Sequence, residues 1–383
     1  MKGSRVVTLN DAEQIIDNLS AKAIKIEKTH CVCVRNRNAS CNHCSNVCPT
    51  SSIEVKNNCL TINPDTCIQC GSCANACPTQ AISSAALPHE SWLNIARSLP
   101  DHSTIWICCE EHPLAQEHLS HLVTLPCLAH LDEVHLLIMA HYNIKLILLH
   151  NSCESCAKAQ AKTLIDKTLQ SAQRFADTWN ISLDIKQKEE TSKEESCYPL
   201  QHDKGGYSRR SFFGSLGESI KHLGYSIAES AFESAFPDQS PAPTLAHELT
   251  QAPGKLIVFM PLRNTLLLNI LFEEQQANPP QKQTIIETRF WGQVTIDNSC
   301  TNCGMCARFC PTQALIHLGE EPTSFVFGKH NPPGPDHEFR CSDCIQCRLC
   351  EDICPTKALH VHGRISSTDL FDLEPVVLKR HDE

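Results

Sequence analysis

The chain lacks the loops that hold nucleotides. No G-x-x-x-x-G-K-S/T run and no G-x-G-x-x-G fingerprint occurs in its 383 residues, so the backbone cradles those glycines build for phosphates are missing. No Ser/His/Asp signature is visible either, and an independent catalytic centre has no sequence support. Long apolar runs are absent as well. A membrane-crossing helix needs about 20 mostly apolar residues, and the best candidate, Leu256 to Phe272, is broken by Pro261, Arg263 and Asn264. Positive charge is in deficit, with 33 lysines and arginines against 43 aspartates and glutamates and a formal net charge of −10. That balance repels phosphate backbones and anionic lipid headgroups, so neither nucleic acid nor direct membrane insertion is expected. The opening residues carry Asp11, Glu13 and Asp17 and no continuous apolar stretch, so no secretory signal is expected.

What the chain has is cysteine, 25 of them in tight clusters. In a small secreted chain that number would read as a disulfide scaffold; clustered in a long chain it reads as metal binding in a reducing, cytoplasmic setting. Three strings are versions of one unit: CIQCGSCANACPTQAI from Cys67, CTNCGMCARFCPTQAL from Cys300 and CIQCRLCEDICPTKAL from Cys344. A shorter fourth copy, CNHCSNVCPTSSI, starts at Cys41. The copies fall in two pairs, one near each end, which implies duplication of a two-unit module.

The middle differs. Over residues 104–190 short apolar runs (TIWIC, HLVTLPC, IKLILLH, ISLDIK) alternate with helix-length stretches such as LAHLDEVHLLIMAHYN and Cys156 to Trp179. This alternation predicts a parallel α/β layer. Residues 188–215 are polar and 237–254 rich in Pro, Ala and Gln, as linkers are. Between them Ser215 to Phe236 has the spacing of an amphipathic helix.

A 4Fe-4S cube needs four thiolates, and C-x-x-C-x-x-C supplies three from one loop. Structural zinc also uses paired C-x-x-C but seldom three such cysteines in a row with a C-P tail. Over about residues 30–85 and 290–365 these motifs resemble the bacterial-type 2×(4Fe-4S) ferredoxin family, in which each unit lends its tail cysteine to its neighbour's cluster. The resemblance implies Cys300, Cys303, Cys306 and Cys354 for one cluster and Cys344, Cys347, Cys350 and Cys310 for another, the tails preceding Pro311 and Pro355. It implies Cys67, Cys70, Cys73 and Cys48, before Pro49, for a third. The fourth would use Cys41, Cys44 and Cys77, but Asn38 stands where the family has its first cysteine, leaving Cys33 or Cys31. Cys33 is favoured because a shorter loop costs less closure entropy. Cys341 reads as a spare thiol.

In the middle, Cys108 and Cys109 end TIWICC, Cys127 ends HLVTLPC, and Cys153 and Cys156 follow IKLILLHN. All five fall at the carboxyl ends of predicted parallel strands, the edge where open α/β sheets bind ligands. A metal site using Cys109, Cys127, Cys153 and Cys156 is expected; the alternative is that these are buried small hydrophobes. The order resembles the small iron-sulfur subunit of F420-nonreducing hydrogenase, which implies a 2Fe-2S cluster and an electron-adaptor role, although Glu110, Glu111 and His112 stand where that family has its second cysteine. The whole chain resembles accessory proteins of molybdenum formate dehydrogenases.

The expected fold class is α+β, two ferredoxin-like modules (residues 1–88 and 290–383) flanking a central α/β domain with a parallel sheet (89–187), with a linker (188–254) and a connecting segment (255–289). The expected cofactors are four 4Fe-4S clusters and a 2Fe-2S or other metal in the middle. The expected function is an electron relay or accessory subunit of a larger oxidoreductase, partnered by a redox protein or catalytic subunit. A reductase with its own thiol or metal centre and a maturation factor are the rivals. Ser208 to Phe213 looks like a twin-arginine signal, but its mid-chain position argues for a helix start. His112, His118, His121, His130, His135 and His141 are expected in surface or packing roles.

Overall fold

The computed structural model describes residues 23–116, 121–150, 153–189, 250–252, 255–279, 283–318, 337–378 and 380–381. Most of the linker expected over 188–254, with its helix (Ser215 to Phe236) and the Arg209-Arg210 motif, lies outside the described residues.

The N-terminal cysteine units sit on two strand pairs. β1 (Ile24–Ile26) pairs antiparallel with β4 (Ile82–Ser84), and β2 (Ile53–Lys56) forms a hairpin with β3 (Cys59–Ile62). Asn57 and Asn58 close the hairpin, both at positive φ (49° and 58°), as a two-residue turn between twisted strands demands. Leu60 and Ile82 point inward from this frame and are buried.

The central sheet is four-stranded and all parallel, in the order β6 (Leu122–Leu125), β5 (Thr104–Cys109), β7 (Lys145–His150), β8 (Ile185–Glu189). β7 reads KLILLH and is buried from Leu146 to His150, the near-continuous apolar run of an inner parallel strand. Helices α1 (His89–Ser98), α2 (Glu133–His141) and α3 (Ala161–Thr178) accompany the sheet. α2 is buried on every side from Glu133 to Ala140, which suits its apolar run VHLLIMA. Asp132 caps it, accepting from the Val134 and His135 amides at 3.0 and 3.2 Å.

α4 (Leu262–Ala277) lies against α2 and leads to the second cysteine module. There β9 (Gln293–Asp297) pairs antiparallel with β12 (Leu359–His362), and β10 (Leu315–His317) with β11 (His337–Phe339). First strand with last and second with third is the pairing of the N-terminal module, so the sequence duplication is also a duplication of fold. Phe175 of α3 meets Phe290 and Trp291 edge-on at 5.9 and 6.1 Å between centroids, merging the central and C-terminal cores. No helix among the described residues is long and apolar enough to cross a membrane.

Modules that flank the sheet in sequence are neighbours in space. Val32, Leu349 and Ile353 are buried together, with Cys33, Ala39, Cys41, Phe309 and Cys347 around them. The Ser40 amide and hydroxyl both donate to Asp352, each at 2.7 Å. Deeper in, Arg263 of α4 and Arg289 both donate to the carbonyl of Asn75. Arg289 also donates to the Asn75 side chain at 2.7 Å and, through Nε, to Glu133 at 2.9 Å. Glu133 is 1% exposed. Removing one partner of such a pair strands the other charge and costs roughly 3–5 kcal/mol, so Arg289→Met is expected to lower the thermal unfolding midpoint. An unchanged midpoint would show that the pair is dispensable.

Candidate metal centres

The cysteine loops repeat one backbone device. Gln69, Asn302 and Gln346 stand at the same place in their C-x-x-C runs and share φ of 52°, 53° and 51°. Past the second cysteine come Gly71 (81°), Gly304 (68°) and Arg348 (58°), and then a short helix in each case, Ser72–Ala76, Met305–Phe309 and Leu349–Ile353. A further left-handed residue ends each C-P-T turn: Ser51, Gln80, Gln313 and Lys357. Alternation of right- and left-handed residues turns successive amides to one side and builds an anion-receiving concavity. The threonines of these turns, Thr50, Thr79, Thr312 and Thr356, lie 3.7, 3.5, 3.7 and 3.7 Å from the tail sulfur two residues before. These hydroxyls were missed in the sequence; their fourfold recurrence after C-P was the available signal.

Two of the sets surround cavities. One is lined by Cys300, Cys303, Cys306 and Cys354, with Ile296, Met305 and Leu359 as apolar wall. The other is lined by Cys31, Cys41, Cys44 and Cys77, with Val55, Leu60 and Ile82. A third set brings Cys67, Cys70 and Cys48 close enough to Cys73 to act on its charge, and a fourth brings Cys344, Cys347 and Cys310 to Cys350.

Cys31, rather than the favoured Cys33, therefore stands on the cavity wall. Cys31 is in extended backbone, and a helical turn, Val32–Arg35, follows at once. Cys33, two residues on, is absent from that wall but stands beside it, its thiol hydrogen-bonded to those of Cys31 and Cys41 and near the carbonyls of Cys41 and Ala39, at 3.2 and 3.7 Å. A hydrogen bond with Cys33 lowers the Cys31 thiol to about 6.

A hydrogen bond with Cys33 lowers Cys41 too, whereas burial drives several other thiols the opposite way. Cys44 and Cys306 are pushed up to about 12, Cys344 to about 11, and Cys73, Cys347 and Cys350 upward as well, with neighbouring thiols adding repulsion. Converging soft donors in apolar walls keep their protons unless a cation replaces them. The donor sets and their amide-lined loops thus suit a thiolate-bound metal cluster.

At the carboxyl edge of the central sheet, Cys109 and Cys156 lie within each other's field, as do Cys153 and both of them. Cys127, raised by burial to about 11, lies just past the end of the neighbouring strand β6 and within the field of Cys109. Lys158 stands beside them, its Nζ donating to the Pro126 carbonyl at 2.7 Å. Cys108 does not join. Neighbours on a strand point to opposite faces, and its side chain is fully buried with Ala115, Ile147 and Leu149.

Neighbouring sets adjoin through shared cores: Cys127 of the sheet-edge set packs in one core with Cys70, Cys44 with Cys73, Cys41 with Cys347, and Cys306 with Cys350. His130 ties the first step together, donating to the Gln69 carbonyl at 3.0 Å and meeting the Ser84 hydroxyl at 2.7 Å. His89, Asp132 and His135 also lie within ligand distance of one another, but these atoms are engaged in capping α2 and in a bond from His135 to the Leu87 carbonyl at 3.1 Å.

A family model described as a 4Fe-4S binding domain matches residues 60–83, and one described as a 4Fe-4S dicluster domain matches residues 299–358. Ferredoxin-type iron-sulfur domains therefore stand at both ends of the chain. No curated protein and no solved structure matches it significantly. The resemblances to a hydrogenase subunit and to formate dehydrogenase accessory proteins gain no support from these matches.

A Cβ on Gly71 would lie 2.5 Å from the His130 ring at φ +81°, whereas one on Gly304 would lie 3.4 Å from the His317 ring at φ +68°. Gly304→Ala is expected to cost about 1–2 kcal/mol, the left-handed penalty alone. Gly71→Ala adds a collision, so it should lower the unfolding midpoint further and reduce iron per chain. Equal effects would mean that His130 does not clamp the loop.

Proposed function

We propose that the chain is an iron-sulfur electron relay serving a larger oxidoreductase, with four 4Fe-4S clusters and a fifth, 2Fe-2S centre. The observation that carries this reading is the adjoining of cysteine sets, through shared cores, from the sheet edge through both modules. The ligands assigned are Cys109, Cys127, Cys153 and Cys156 at the sheet edge, then Cys67, Cys70, Cys73 and Cys48, then Cys31, Cys41, Cys44 and Cys77. Cys344, Cys347, Cys350 and Cys310 follow, and Cys300, Cys303, Cys306 and Cys354 come last. Bound clusters supply one-electron exchange between delocalised iron sites. The protein's own residues ligate them, exclude water with walls such as Leu60, Ile82 and Leu359, and hold neighbouring sets in fixed order. The partner is a catalytic redox subunit, and complex formation with it distinguishes this reading from turnover of a disulfide by the isolated chain.

Anaerobically purified protein is expected to carry about 18 iron per chain, four for each cube and two for the sheet-edge set. Cys31→Ala should remove about four of them and Cys33→Ala none, while Cys127→Ala should remove about two together with a 2Fe-2S EPR signal. Fewer than about 10 iron in the unaltered protein would sink the reading.

A further inference from the structure

Arg35 leaves the helical turn of the N-terminal module and ends inside the C-terminal one. It is 4% exposed. Its Nε donates to the Phe309 carbonyl at 2.9 Å and its Nη1 to the Ile257 carbonyl at 2.6 Å. Its Nη2 is buried with no hydrogen-bond partner among the described residues. Among the described residues no carboxylate forms an ion pair with it, and the ionisable groups that favour its charge are the thiols of Cys310 and Cys347. The site is braced by a strap: the Phe259 ring stacks on His30 at 3.7 Å, and the Phe259 amide donates to the Pro311 carbonyl at 2.9 Å.

A guanidinium does not shed its proton in a protein, and an unpaired buried charge is costly enough that natural structures supply a counter-ion. Carbonyl dipoles solvate Arg35 in part but carry no net charge. The anion at hand is the thiolate set of Cys344, Cys347, Cys350 and Cys310 with the cluster it binds, whose negative charge increases by one on reduction. Cluster potentials respond to net charge and to hydrogen bonds at the sulfurs.

We propose that Arg35 is a positioning residue acting in trans: from the N-terminal module it supplies the counter-charge and a donor to the cluster of the C-terminal module held by Cys344, Cys347, Cys350 and Cys310. This rests on the relay reading, since it requires that set to hold a 4Fe-4S cluster. The consequence is that docking of the two modules raises the potential of the set at their junction, and separating them makes it a poorer electron acceptor.

The test is an anaerobic redox titration of the full chain followed by EPR, with iron counted per chain, for Arg35→Gln and Arg35→Lys. Cys347→Ala identifies the signal concerned. Arg35→Gln is expected to retain its iron and to shift that one signal to lower potential. At the unaltered protein's midpoint its reduced-to-oxidised ratio should fall about tenfold, which is 59 mV for one electron. Arg35→Lys should restore most of the shift, because it returns the charge. If Arg35→Gln lost about four iron and Arg35→Lys regained them, the counter-charge role would also stand. Wild-type midpoints for every signal in Arg35→Gln, or loss of the cluster in both variants, would overturn the proposal. Failure of Cys347→Ala to remove about four iron from otherwise unaltered protein would instead overturn the reading beneath it.

Discussion

One backbone carbonyl, that of Asn75, receives two guanidinium groups, the buried one of Arg263 and the half-buried one of Arg289, and the docking of the two modules on the central sheet converges on that junction. Asn75 lies between Cys73 and Cys77, so whatever fixes it fixes ligand candidates of two adjacent sets. Arg263 reaches it from α4 and also donates to the Cys77 carbonyl; Arg289 reaches it from the threshold of the C-terminal module. Two like charges meeting in the interior repel, and burial with this repulsion brings Arg263 down to about 10, against the pull of Asp132, Cys77 and Glu133. The arrangement holds because Glu133 and Asp132 at the start of α2 oppose both cations, and because the Phe290 ring faces each guanidinium, 5.4 and 5.1 Å from its centroid. N-terminal module, central sheet and C-terminal module thus share one electrostatic knot.

Its consequence is order. A ferredoxin module alone fixes two cysteine sets relative to each other, because each lends a thiol to the other. It says nothing about where a second module goes. Here the knot, the Ser40–Asp352 contact and the aromatic packing of Phe175 on Phe290 and Trp291 place the second set of one module beside the first of the other. The central sheet takes the opposite end, its Cys127 sharing a core with Cys70. A relay needs this kind of rigidity more than it needs a substrate pocket, since its work depends on separations that do not vary.

What the sequence disclosed was local chemistry. Cluster-binding loops demand fixed spacing, so the C-x-x-C-x-x-C-x-x-x-C-P runs announced themselves, and the parallel sheet was legible because inner strands must be apolar throughout. The position of Cys31 on the cavity wall was not, since it turned on a four-residue helical turn too short to leave a periodic signal. Cys108 and Cys109 were separable in principle by strand alternation. The docking of the modules was beyond reach: Arg35 and Phe309, or Ser40 and Asp352, are far apart in the chain, and each reads locally as an ordinary surface or loop residue.

The irregular first unit and the docking of the modules are one feature seen twice. In the regular units, the turn before the second cysteine is a left-handed loop closed by Gln69, Asn302 or Gln346. In the first unit the corresponding stretch, Asn36 to Ser40, is committed elsewhere: Ala39 packs on Leu349 and Ile353, and Ser40 is bound to Asp352. With Cys31 on the cavity wall, residues 36–40 face the other module. The same displacement starts the helical turn that carries Arg35 across the junction. Departure from the family spacing is therefore what a ferredoxin unit requires when its loop must also serve as an interface.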